Sequence, residues 1–142
     1  MIEPQERSEE GIILQAVLRL ARRMRQAAQD GELTGSAFAM LATLRRDGAM
    51  SAVELARREG LQPQSLSRLL TRLDGLGLIA RSIDPDDARR HVIAITAQGT
   101  ATLTGQMVRR RDWLADRIAE RLTGQEKATL LAAAELMLRM AV

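Results

Sequence analysis

The sequence predicts a mainly α-helical chain with one small β-hairpin. Apolar residues recur at helical spacing in several separate stretches. Two of those stretches are parted only by Glu59–Gln62, and two short β-branched stretches bracket a turn-rich loop at 84–90. With 142 residues, 46% of them hydrophobic, the chain can bury one ordinary core.

Each element has its own signal. Ile12, Ile13, Ala16, Val17, Leu20, Ala21 and Met24 share one helical face opposite Arg19, Arg22, Arg23 and Gln26, which predicts a long amphipathic helix over 9–29. Glu9 and Glu10 suit its positive end, and Asp30-Gly31 breaks it. Thr34 caps a second helix with Phe38, Leu41 and Leu44 on one side, stopped by Asp47-Gly48. Ser51-Ala-Val-Glu54 is a capping-box pattern that opens a third, which Gly60 ends within about two turns. Gln62 is the N-cap and Pro63 the first residue of a fourth helix, so the third and fourth make a helix-turn-helix unit.

The fourth helix gathers Leu66, Leu69, Leu70, Leu73 and Leu76 on one side. Gln64, Ser67, Arg68, Thr71 and Gly75 point the opposite way, with Ser65 and Arg72 on one flank. No acid lies between Leu61 and Leu73, so this small polar face can approach a polyanion. Strands over 78–83 and 91–96 then form a two-stranded hairpin with a charged tip. Thr96, Gln98 and Gly99 open a fifth helix, and Thr123-Gly124-Gln125-Glu126 restarts a sixth. The helices at 9–29, 98–121 and 125–140 carry more apolar surface than the middle of the chain can cover, which predicts self-association.

Composition closes several functional classes. There is no cysteine, so disulfides, thiolate chemistry and thiol redox sensing are excluded. One histidine, no tyrosine and no pair of carboxylates at a catalytic spacing argue against an enzyme. Asp84, Asp86 and Asp87 lack the further ligands and distal Glu of a calcium loop, so no metal or other cofactor is expected. The uncharged stretch Leu33–Leu44, like every other in the chain, falls short of the ~20 apolar residues of a membrane span. Met1-Ile2-Glu3-Pro4 lacks a basic region followed by an apolar one, and the expectation is a cytoplasmic chain. A net charge of +3 does not by itself establish nucleic-acid binding. Lys127 is the single lysine, however, so nearly all the positive charge is arginine, whose planar fork suits phosphates and guanine edges.

The order of helix, helix, capping-box helix, polar-faced helix, charged hairpin and two long helices resembles the MarR family of bacterial transcription regulators. The most specific pieces are Leu73-x-x-Leu76-Gly77-Leu78-Ile79-x-Arg81, Asp84-Pro-x-Asp87-x-Arg89 and Ile95-Thr96-x-x-Gly99. The resemblance covers essentially the whole chain. It implies a winged helix-turn-helix region over 33–97, with the dimerisation helices in 1–32 and 98–142. It also implies a homodimer on double-stranded DNA, of the repressor type, released by a small-molecule effector. Carried onto matching positions, it places Arg68 in the major groove and Arg89 in the minor groove, which suits guanine recognition and the potential of narrow A·T tracts. Gln64 and Ser67 are further base-edge candidates. Ser65, Arg72, Arg81 and Arg90 are read as phosphate contacts or braces of the wing. Asp87 is expected to accept from a neighbouring arginine and hold the wing tip.

Three readings stay open at the level of sequence. Trp113 is assigned to dimer packing, with stacking on an aromatic effector as its alternative. His91, opening a hairpin strand, receives no role. The rival to DNA binding is a winged-helix module that buries its polar face against another protein.

Overall fold

The computed structural model describes residues 8–28 and 33–142. Among these residues the chain forms α1 (Glu9–Ala27), α2 (Gly35–Asp47), β1 (Met50–Ser51), α3 (Ala52–Glu59) and α4 (Pro63–Gly75). β2 (Ile79–Ile83), β3 (His91–Ile95), α5 (Ala97–Arg121) and α6 (Gly124–Met140) follow. The expected break at Asp30-Gly31 and the reading of Met1–Pro4 fall outside the described residues. The chain divides into two compact units, one within Gln29–Met107 and the other joining α1 to Val108–Val142.

The first unit is built round one apolar core. Met40, Leu41 and Leu44 of α2, Leu55 of α3, and Leu66, Leu70 and Leu73 of α4 are buried together with Ile79, Ile93 and Leu103. The helical spacing read in α2 and α4 is thus the spacing of the buried face. Thr43, buried beside this core, donates its hydroxyl to the Glu59 carboxylate and so ties α2 to the end of α3.

The sheet corrects one expectation. Instead of a two-stranded hairpin it has three antiparallel strands in the order β1-β3-β2, with Met50 opposite Ile93 and Ser51 opposite Val92. β1 is two residues long, too short for alternation to show in the sequence, and Ser51 already carried a cap signal. That cap is real but half of the expected box. The Ser51 hydroxyl accepts from the Glu54 amide, while the Glu54 carboxylate turns to Arg57 and Arg58. At α6 both halves form, between Thr123 and Glu126.

Two of the specific sequence fragments prove to be a single joint. α4 ends in a Schellman arrangement: Leu78 N–H reaches Leu73 O at 3.0 Å, Gly77 N–H reaches Asp74 O at 2.9 Å, and Gly77 takes φ +74°. The Thr96 hydroxyl donates to Gly77 O at 2.6 Å and accepts from Gly99 N–H at 3.0 Å, starting α5 against the end of α4. A Cβ on Gly99 would stand 2.1 Å from Leu78 O, so only glycine allows this approach.

In the second unit, Ser8 caps α1 by accepting from Gly11 N–H, a signal missed in the sequence beside the two glutamates that follow. Neither α1 nor α6 buries a residue within its span. Ile12, Ile13, Leu14 and Leu18 of α1 and Leu131, Leu136, Leu138 and Met140 of α6 stay exposed. Arg117 lies 5.8 Å from the Trp113 ring centroid and donates to Glu120 at 2.7 Å. No helix among the described residues is long and apolar enough to cross a membrane.

Candidate nucleic-acid interface

The helix-turn-helix geometry follows from two residues with restricted or unusual backbones. Gly60 adopts φ +62°, which lets Leu61 N–H reach Ala56 O at 3.0 Å and Gly60 N–H reach Arg57 O, closing α3 with a second Schellman turn. Gln62 is extended, and Pro63 supplies a first helical residue that needs no N–H partner. Gln62 makes no side-chain cap bond. The turn therefore rests on backbone geometry.

α4 presents the face read from its sequence. Leu66, Leu70 and Leu73 are buried, while Gln64, Ser65, Ser67, Arg68, Thr71 and Arg72 are exposed. The Thr71 hydroxyl donates back to Ser67 O at 3.0 Å. Along one flank of α4, Ser65, Arg68, Leu69 and Arg72 border a shallow groove of about 330 Å³ whose other wall is Leu61 and Ser36 of α2. Ser36 went unnoticed in the sequence because only the packing of α2 on α4 brings it there. On the opposite flank, Ser67 and Arg81 meet Ala52, Val53 and Pro63 around a second cleft of about 280 Å³. Arg81 also approaches Asp74 at 3.8 Å.

The wing tip is shaped by aspartates. Asp84 N–H donates to Arg90 O at 2.9 Å, and Arg90 N–H donates to Asp87 O at 3.0 Å. The Asp84 carboxylate accepts from Asp86 N–H and the Asp87 carboxylate from Arg89 N–H, each a two-residue Asx turn. Asp87 thus takes a backbone amide rather than a guanidinium, because the amide two residues on lies within reach of so short a side chain. Arg89, Arg90 and His91 line a cleft with Ser51 of β1 and Ala52–Glu54 of α3, and α4 contributes nothing to its lining.

Two sets of arginines near the helix-turn-helix and wing differ in their electrostatic setting. At α2 and α3, Arg46 pairs with Asp47 at 3.0 Å, Arg58 with Asp47 at 2.7 Å and with Glu54 at 2.8 Å, and Arg57 with Glu54 at 2.6 Å. Hydrogen bonds from Arg57 and then Arg58 hold the Glu54 carboxyl down to about 2. Those guanidinium groups already have anions. By contrast, Arg68 on α4 and Arg89 and Arg90 at the wing form no ion pair among the described residues, so their charge is directed to solvent.

The comparisons with known proteins bear on the family and the fold. A family model described as the MarR family matches residues 33–91, which span α2 to the wing. A helix-turn-helix transcriptional regulator of Mycobacterium tuberculosis is 33% identical over 125 residues, covering 88% of this chain and 87% of that protein. The apo crystal structure of Escherichia coli MarR superposes with a TM-score of 0.82 at 23% identity, covering 97% of this chain and 98% of that one. Bordetella bronchiseptica BpsR, whose structure is described as a mechanism for regulation of DNA binding by 6-hydroxynicotinic acid, gives a TM-score of 0.67 at 23% identity, covering 96% and 97%.

Proposed function

Because the chain belongs to the MarR family of DNA-binding, non-enzymatic transcription regulators, we propose that it is a repressor that binds a pseudo-palindromic operator as a homodimer. The observation that carries this reading is the division of the arginines. Arg46 of α2 and Arg57 and Arg58 of α3 are neutralised by Asp47 and Glu54, whereas Arg68 of α4 and Arg89 and Arg90 of the wing form no ion pair among the described residues and keep their charge for an external anion.

In this reading α4 enters the major groove with Arg68, Gln64 and Ser67 toward base edges, and Arg89 enters a flanking minor groove. Ser65, Arg72, Arg81 and Arg90 hold the backbone, and Asp87 shapes the turn that presents Arg89. Residues 33–97 form the reading head, while 1–32 and 98–142 join two copies so that half-sites lie about 34 Å apart. The exposed leucines and isoleucines of α1 and α6 support that pairing. A small-molecule effector that binds the DNA-incompetent spacing of the two heads would release the operator. No thiol can serve that switch here.

Selection of bound duplexes from a random pool, followed by titration at two salt concentrations, tests the proposal. A pseudo-palindrome bound with a steep salt slope is expected. Arg68→Ala should cost about 1–3 kcal/mol and relax preference at one base pair, and Arg89→Ala should weaken the preference for A·T-rich flanks. Unchanged affinity in both variants would sink the assignment, and a salt-insensitive complex with another protein would replace it.

A further inference from the structure

We infer that Ser36 of α2 is a DNA-backbone contact, sharing one open groove with Ser65 and Arg72 of α4; this rests on the DNA-binding reading above. Four features of the groove point to a phosphate. Its six lining residues, Ser36, Leu61, Ser65, Arg68, Leu69 and Arg72, include two guanidinium groups and two hydroxyls but no carboxylate. Ser65, Arg68, Leu69 and Arg72 follow one another at i, i+3, i+4 and i+7, so they form one stripe along the flank of α4. Half-buried Leu61 and Leu69 give the groove an apolar floor, leaving the hydroxyls and guanidinium groups as its polar rim. Ser36 itself is exposed, on a helix anchored by the buried Met40, Leu41 and Leu44, so its position is set by the core.

The shape of DNA separates this flank from the base-reading ridge. A helix about 10–12 Å across nearly fills a major groove about 12 Å wide. Residues on its outermost ridge then meet base edges, and residues on its flanks meet the sugar-phosphate strands that border the groove. Gln64, Thr71 and Gly75 occupy the ridge, Ser65 and Arg72 the flank toward α2, and Arg68 stands between. A hydroxyl from α2, a hydroxyl from α4 and a charged fork can together hold the oxygens of one phosphate. Such a contact fixes how deeply and at what register α4 sits, without reading sequence.

The test is charge placement at Ser36, in the full chain. Ser36→Arg and Ser36→Glu are titrated against the selected operator and against a random duplex of equal length, across a salt series, after a thermal melt shows each variant folded. Ser36→Arg should tighten both duplexes and steepen the slope of log K on log salt by about 0.9. Ser36→Glu should weaken both by about threefold to tenfold. In each case the ratio of operator to random affinity should stay constant. No change with either variant overturns the contact, and a change in the ratio reassigns Ser36 to base reading and overturns it equally. If the unaltered chain binds neither duplex, the DNA-binding reading falls first and this contact falls with it.

Discussion

At the scale of single residues, two side chains show how local chemistry departs from local pattern. Glu54 stands at the third position of a capping box, yet its carboxylate serves Arg57 and Arg58, because charge-assisted bonds to two guanidinium groups outweigh one bond to a backbone amide. Its pKa falls from 4.5 to about 2, so the stabilisation is present above about pH 4.5 and is lost as pH falls through about 2. A Glu54→Gln chain should therefore be less stable than the parent at neutral pH, and the gap should close between pH 4.5 and pH 2 in denaturant melts. A gap independent of pH would mean that the arginines do not act on the ionised carboxylate. Gly99 is the second case. A methyl group there meets Leu78 O at 2.1 Å and Ile95 Cγ1 at 2.8 Å, and a backbone carbonyl inside a capped joint has little room to yield. Gly99→Ala should cost about 2 kcal/mol or more, read as a fall of several degrees in Tm. An unchanged melt would show that the joint gives way freely.

At the scale of elements, legibility followed periodicity. α2 and α4 could be read because their buried leucines repeat at helical spacing, and the glycine end of α3 because a left-handed residue closes that turn. β1 could not be read, since two residues carry no period. The fragments around Leu76-Gly77-Leu78 and Thr96-x-x-Gly99 were legible one by one, but their meeting in one hydrogen-bonded joint is tertiary. Ser36 was hidden for the same reason, whereas the exposure of Gln64, Ser65, Ser67, Arg68 and Arg72 followed from the helix alone. The start of α4 offers a direct test of what its turn needs. Gln62 caps nothing with its side chain, although an N-cap hydroxyl in that extended conformation would accept from an amide of the first turn. Gln62→Ser should raise stability by about 0.5–1 kcal/mol in urea titrations, and a loss of stability would show that Gln62 serves a contact beyond the cap.

At the scale of the whole molecule, the apolar residues of α1 and α6 call for a partner. Ile13 is 49% exposed, Leu131 64% and Leu138 71%, far beyond what a scatter of single surface leucines explains. Burying these faces against a second copy would remove that surface from water by the least new structure, since a two-fold axis lets one patch cover itself. The consequence for DNA binding is quantitative. In the proposed dimer, two heads held together would convert the second half-site contact into an intramolecular event, so the operator would be held far more tightly than a half-site. Ile13→Asp combined with Leu138→Asp places charges within the proposed interface and should leave a folded monomer in sedimentation at micromolar concentration. That monomer should bind the full operator about as weakly as it binds an isolated half-site, with a shallower salt slope because fewer phosphates are neutralised. A monomeric variant that kept the parent's operator affinity would show that one head suffices, and the pseudo-palindrome would lose its physical basis.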